Sequence, residues 1–422
     1  MNRDRIVPFR VMAIVMLLVP ALLAPAQSQV EAAQPTAKWT YMVYMAGDGN
    51  LEHWLVQDIG KEFGKVGSNN DVNIVLLSDR GPGYATQDGD WTDTRIFYIR
   101  KGDTAASTPV ANWGERNTGD PQTLVDFVSY ARQNYPAQHY SLILWGHSWA
   151  WRPEQTMWDE STPYDPAVDI WVPNGAAAGS LDPHEIAGIL DSRTLDALDI
   201  IAYDACEAQA IEVETVWKGH AQYMVASQDD VWWEGFRNDL ILTSLKNNPD
   251  MSPRELAILM ARNLTDRTIS VVDLAGVDTL LTAVDEWSAA LSAGLASHRA
   301  EIDVAYSNTL GIDGDPLHKD LYDAAYEIKK AVNDPVIQAK SQAMMDAVNN
   351  VVVYEWHQKA KCKDAHGIGI FWPRYPQDLD LPSPHTYGYD WNYYYFDGSN
   401  RPGLEFSRRT GWDDFLDGYV NP

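Results

Sequence analysis

Short unbroken apolar runs alternate with helically spaced apolar positions along the first half of the chain. Thr40–Met45, Val72–Leu77, Arg95–Ile99, the run from Tyr140 to Trp145, Leu198–Tyr203 and Tyr223–Ala226 read as strands, several buried on both faces. Between them, Leu51, Leu55, Ile59 and Phe63 fall at helical spacing, and Asp120-Pro121 opens a helix carrying Leu124, Phe127, Val128 and Ala131. Leu181-Asp182-Pro183 starts another helix, and Ala208–Trp217 a further one directly after the Leu198 strand. This alternation predicts an α/β fold with a parallel or mostly parallel sheet and helices on both faces. Beyond about residue 240 the pattern is more helical. Ser252-Pro253-Arg254-Glu255 is a capping box, 278–298, 317–333 and 335–350 are amphipathic, and Val351–Trp356 and Gly367–Phe371 are late strands. Residues 148–180 carry no periodicity but many Trp, Pro and acidic positions; so long a loop is functional or inserted. The aromatic tail around Tyr387–Phe396 reads as packed loop.

Two of the strands end in reactive side chains, His147 and Cys206. Ligands and chemistry collect at the carboxyl ends of strands in open α/β sheets, so the two form a candidate imidazole–thiol dyad. With a helix expected straight after it, Cys206 is placed at a helix N-terminus, where free N–H groups and the dipole lower a thiol's pKa. His147 can protonate a leaving amine and activate water, and the backbone N–H groups of Ser148 and Cys206 are the candidate oxyanion hole. Asp204, two positions before Cys206 on one strand, shares its face. The chain has only one other cysteine, Cys362, so the residues alone leave Cys206 as nucleophile or as half of a disulfide.

Charge and the N-terminus set the partners and compartment. A net charge of −27 argues against nucleic acid and anionic membranes as partners and favours cationic substrates, besides keeping the surface solvated. Arg3, Arg5 and Arg10 precede an apolar stretch, Val11–Ala24, and Ala24-Pro25-Ala26 offers a cleavage site. This is the pattern of a secretory signal peptide, too short to span a bilayer. The chain thus divides into a signal peptide at 1–26, a linker at 27–38, a catalytic domain at 39–240 and a helical or mixed region at 241–422 that completes the fold. The expected product is a secreted protein with no membrane attachment after the signal is removed.

The strand ends also sit in recognisable blocks. The segment 39–52, Trp39-Thr40-Tyr41-Met42-Val43-Tyr44-Met45 followed by Ala46-Gly47-Asp48-Gly49-Asn50-Leu51-Glu52, resembles the opening strand and loop of the clostripain family of cysteine peptidases. Leu142-Ile143-Leu144-Trp145-Gly146-His147 resembles its catalytic-histidine strand, and Asp199-Ile200-Ile201-Ala202-Tyr203-Asp204-Ala205-Cys206 its catalytic-cysteine strand. Ala226-Ser227-Gln228, Gly367–Pro373 and Gly411–Leu416 match later blocks, so the ordered resemblance covers about 39–418. It implies a caspase-like fold and peptide-bond hydrolysis by His147 and Cys206. It also implies an S1 pocket containing Asp204, with Arg or Lys preferred at P1; a carboxylate facing a guanidinium is a sound basis for that preference. Some members depend on calcium; the acids of 148–182 with Asp229 and Asp230 are the candidate ligands here, although their spacing is not diagnostic. The chemistry itself requires no cofactor.

Three departures from the family pattern bear on activity. Ser148 replaces the Gly that follows the histidine, which restricts the backbone where φ is positive. Glu207-Ala208 replaces Leu-Met after the cysteine, placing a carboxylate beside the thiol, where it opposes ionisation. Between 148 and 192 the only basic residue is Arg152, and Pro153 follows it, so maturation by cleavage at a basic site in this segment is not expected. The leading reading is a secreted cysteine endopeptidase acting on peptides or proteins. The alternative is a catalytically weak or inactive peptidase-like binding protein, for which Ser148, Glu207 and the 17 Trp residues provide the grounds.

Overall fold

The computed structural model describes residues 36–148, 150–151, 181, 183–191, 195, 197–264, 266–311, 316–379, 395 and 403–421. The signal segment, most of the linker and most of the 148–180 loop lie outside these residues. Nine strands form one sheet in the order β10-β8-β7-β6-β5-β1-β2-β3-β4. They are β1 (Ala37–Ala46), β2 (Val72–Asp79), β3 (Thr94–Tyr98), β4 (Ala111–Gly114), β5 (Ala137–Trp145), β6 (Leu198–Asp204), β7 (Ala221–Ala226), β8 (Thr268–Asp273) and β10 (Val352–His357). The inner five, β2-β1-β5-β6-β7, pair in parallel. Antiparallel strands close both edges: β3 and β4 on one side, β8 and β10 on the other. The sheet therefore draws strands from both sides of residue 240. A separate two-stranded ribbon pairs β9 (His318–Asp320) with β11 (Gly369–Phe371).

The inner strands are buried on both faces, which explains their unbroken apolar runs. Alternation sends Met42 and Tyr44 of β1 into one core and Tyr41, Val43 and Met45 into the other. The first core packs under helices that include Pro121–Asn134, Val277–Asn308, Leu321–Ala331 and Pro335–Val351, and the second under Asn238–Asn247, Pro253–Arg262 and the segment beginning with α1 (Glu52–Asp58). The helix starts follow their signals. Asp120 accepts the Gln122 N–H ahead of Pro121, and the Ser252–Glu255 capping box is formed in both directions, each cap contributing about 1 kcal/mol.

Several elements differ from expectation. β4, β8 and β9 were not anticipated, although Thr268-Ile269-Ser270-Val271-Val272 is rich in β-branched residues. Gly367–Phe371 shortens to β11 and leaves the main sheet. The helix after β6 starts at Ile211 rather than Ala208. The intervening residues are held by backbone bonds to the segment after β7, Glu207 N–H to Asp229 O (3.1 Å) and Gln209 N–H to Ser227 O (2.9 Å), with Glu207 at a left-handed φ of 53°. Among the described residues, no helix is long and apolar enough to cross a membrane.

Candidate functional site

The chain runs from β1 to β2 on one side and later enters β5 on the other, so β1 and β5 meet at a topological switch point, where α/β sheets open a crevice. His147 stands just past the end of β5, and its Nε2 lies 2.7 Å from Oδ1 of Asn50, in the loop after β1. Next to β5, β6 ends in Asp204, whose carbonyl accepts the Gly146 N–H (3.3 Å), and Cys206 follows. His147, Asp204 and Cys206 all line one cleft of about 230 Å³. Its remaining walls include Leu51, Trp54, Trp145 and the segment Asp230–Trp233 with Gly235.

Cys206 is a half-buried free thiol, and Cys362 is a buried one. The Cys362 thiol donates to Asp229 Oδ2 at 3.4 Å, so the disulfide alternative is not realised. The expected helix-dipole activation of Cys206 is also not realised, because a non-helical turn separates it from Ile211. Burial instead pushes the thiol up to about 12; the Val231 N–H, 3.4 Å from Sγ, opposes the shift, while the charges of Asp230, Glu207 and Asp229 add to it. Glu207 does not point into solvent. It is buried, with Oε2 3.8 Å from Nδ1 of His318. Ser148 is also buried, but its φ is not left-handed, so serine in place of glycine introduces no backbone strain there.

Asp204 is buried beneath the cleft, where the Phe236 N–H donates to both carboxylate oxygens (3.2 and 3.1 Å). Gly235 makes this approach possible: its φ is 49°, and a Cβ there would stand 2.3 Å from Oδ1. Burial raises Asp204 to about 7; the Phe236 N–H lowers it, and the charge of Glu62 raises it further. Glu62 is itself raised to about 7 by burial, against hydrogen bonds from Asn238. Asp58 is held well above the usual carboxylate range by burial and by the charges of Glu62 and Asp204. Asp204, which lines the cleft, is therefore only part-ionised near neutrality.

Asp229 is committed to Arg267 (3.6 Å), Cys362 and the Asp230 N–H, while Glu154, Asp159, Glu160, Asp165 and Asp169 lie outside the described residues. Among the described residues, Asp48, Asp79 and Glu115 have ligand oxygens within 4.8 Å of one another. These are hard donors of the kind calcium takes, although fewer than the six to eight it usually gathers.

Asn50, Asp58, Glu62 and the tryptophans of the cleft were not singled out from the sequence. Asn50 was within reach, since it follows a strand predicted to lie in the same sheet as the His147 strand. Among the described tryptophans, Trp39, Trp151, Trp217, Trp287, Trp372 and Trp412 are fully buried, whereas Trp232 and Trp233 are exposed.

Known proteins share this fold. Residues 43–419 match the model of the clostripain family. The chain is 24% identical to clostripain of Hathewaya histolytica over 411 residues, covering 80% of this chain and 74% of the relative. A secreted C11 cysteine protease of Bacteroides thetaiotaomicron, solved with an irreversible peptide inhibitor, superposes with a TM-score of 0.63 at 16% identity, covering 90% of this chain and 100% of that one. An inactive zymogen C11 protease of Parabacteroides distasonis gives 0.59 at 17% identity, covering 80% and 92%. The structural likenesses establish the shared fold.

Proposed function

Since the chain belongs to the clostripain family of cysteine peptidases, we propose that it is a secreted endopeptidase in which Cys206 is the nucleophile and His147 the general acid–base, with Asp204 selecting Arg or Lys at P1. The observation that carries this reading is the convergence of these three side chains on one cleft at the carboxyl edge of the parallel sheet. With Asn50 Oδ1 accepting from Nε2–H, Nδ1 is the basic nitrogen of His147.

A thiol raised to about 12 is almost wholly protonated at rest, so the proton leaves Sγ for His147 as sulfur attacks the scissile carbonyl carbon. Backbone N–H groups of Ser148 and Cys206 receive the developing oxyanion. Imidazolium then protonates the departing amine as the C–N bond breaks. In the second half His147 takes a proton from water, which attacks the thioester carbonyl, and Sγ leaves to recover the thiol. The P1 cation is held by Asp204, whose ionised form it favours. The bond-making steps use no metal; Asp48, Asp79 and Glu115 are where a calcium ion would sit as a structural ligand.

Cys206→Ala is expected to abolish hydrolysis of Arg- and Lys-P1 peptides, and retained hydrolysis would reject the nucleophile. The binding-protein alternative rests on the buried Glu207 charge beside the thiol. It is distinguished by a thiol-reactive probe with Lys at P1, which labels Cys206 only in a working site. Export through the 1–26 segment belongs to the same reading, supported by the secreted relative; N-terminal sequencing of the mature protein checks it.

A further inference from the structure

Three of the four tryptophans that line the cleft form a cluster with no part in the chemistry above. Trp54 projects from α1 and Trp232 and Trp233 from the segment after β7. Trp54 and Trp233 stack at 5.5 Å between centroids with 11° between planes, while Trp232 meets Trp233 edge-on at 5.3 Å and 88°. Trp232 is 44% exposed and Trp233 48%, whereas Trp39, Trp151, Trp217, Trp287, Trp372 and Trp412 are fully buried. An aromatic cluster left open to water beside a reaction centre has the composition of a binding surface.

The cluster is also anchored. Its backbone donates from Val231 to Cys206 Sγ (3.4 Å), from Trp232 to Asp266 (2.6 Å) and from Phe236 to Asp204. The two indoles of this segment are therefore rooted between the nucleophile and the P1 carboxylate, on a backbone tied at both ends. Trp54 buttresses Trp233 from the opposite wall, and His53 packs edge-on against Trp54.

We propose that Trp54, Trp232 and Trp233 form a subsite for an aromatic or large aliphatic side chain on the substrate residue flanking P1. This inference rests on the peptidase reading and adds a second specificity element to it. A P1 residue anchored at Asp204, with its carbonyl at Cys206, brings its neighbour's side chain against the indole faces. Apolar contact with the indole faces favours Phe, Tyr or Leu. Asp230 lines the same wall and Glu234 follows Trp233, so an acidic flanking residue is repelled.

The test uses the full chain and fluorogenic peptides with Arg fixed at P1, in which P2 and P1′ are varied in turn among Phe, Leu, Gly and Glu. Wild type is expected to favour Phe or Leu over Gly about tenfold in kcat/KM at one flanking position, mainly through KM, with Glu slowest. In Trp233→Ala that preference shrinks to about twofold, because the Phe- and Leu-flanked substrates lose more than the Gly-flanked one. Trp54→Ala has the same effect in weaker form. A uniform loss across all flanking residues, or no flanking preference in wild type, overturns the proposal. A second arm is independent of catalysis: in Cys206→Ala, intrinsic tryptophan fluorescence is titrated with Phe-Arg and Gly-Arg peptides. Stronger binding of the Phe peptide that disappears on adding Trp233→Ala supports the subsite, and equal binding refutes it. Absence of cleavage of every Arg peptide by wild type counts against the peptidase reading alone, leaving the fluorescence arm to decide the subsite. Unchanged near-neutral thermal stability of each variant shows that folding is intact.

Discussion

Asp204→Asn is the most informative single change, because it acts on charge while preserving shape. In the wild-type protein the carboxylate is buried, accepts only a backbone N–H among its described bonds, and is raised to about 7. Its ionised form lacks a described cationic partner at close range until a P1 guanidinium or ammonium enters. Removing one partner of such a buried, hydrogen-bonded pair costs on the order of 3 kcal/mol, about 10²-fold in kcat/KM for an Arg-P1 peptide. An otherwise identical peptide with norleucine at P1 should change by less than about threefold, since it brings no charge to Asp204. The pH profile adds a second readout. kcat/KM reports free-enzyme ionisations, and a group titrating near 7 is about 10% ionised at pH 6 and about 90% at pH 8. The Arg-to-norleucine ratio in wild type should therefore rise nearly tenfold across that interval, while taking the ratio cancels the titration of His147. In Asp204→Asn the ratio should be low and flat. A wild-type ratio that stays constant from pH 6 to 8, or an Asn variant that keeps its Arg preference, would refute the assignment of P1 selection to this carboxylate.

Three further changes probe the surroundings. Glu207→Gln removes one of the charges that raise the Cys206 thiol, so its iodoacetamide alkylation profile should move to lower pH and its rate at pH 8 should rise a few-fold; an unmoved profile contradicts the contact. Asn50→Ala removes the hydrogen bond at His147 Nε2 and should lower kcat about tenfold with little change in KM, measured on a Lys-P1 substrate. Stability should fall as pH rises: Glu214 is raised to about 8, chiefly by burial, and Asp323 to about 6. Such carboxylates contribute stability that is full below their unfolded values and is lost as pH rises from there to about 6 for Asp323 and about 8 for Glu214. Glu214→Gln should accordingly exceed wild type by up to about 4 kcal/mol at pH 8 and match it near pH 4.5 in urea titrations.

The central strands were readable in the sequence because burial on both faces leaves an unbroken apolar signature, as in Leu142–Leu144 and Ile200–Tyr203. The reactive strand ends were readable for the same reason, since each run stops at a chemically distinctive residue. The environment of Cys206 was not readable. A strand followed by a helical pattern suggested direct contact with a helix terminus, but Glu207 takes a left-handed conformation, and the 205–210 turn is held by backbone bonds to 227–229 that no local pattern encodes. β8 was hidden differently. Its β-branched run lies between helices and pairs antiparallel at the sheet edge, where the periodicity of the surrounding helices dominates the signal. Asn50 and His147 are 97 positions apart, and their contact depends on the switch in strand order. The open indoles of Trp232 and Trp233 were unreadable in principle, because composition counts tryptophans without showing which face water.

The short segment from Val231 to Phe236 hydrogen-bonds the Cys206 thiol at one end and the Asp204 carboxylate at the other. If a guanidinium binds at Asp204 as proposed, any change its arrival makes to the affinity of Cys206 for its proton is returned in equal measure, by reciprocity, as an effect of Cys206 protonation on the affinity for that guanidinium.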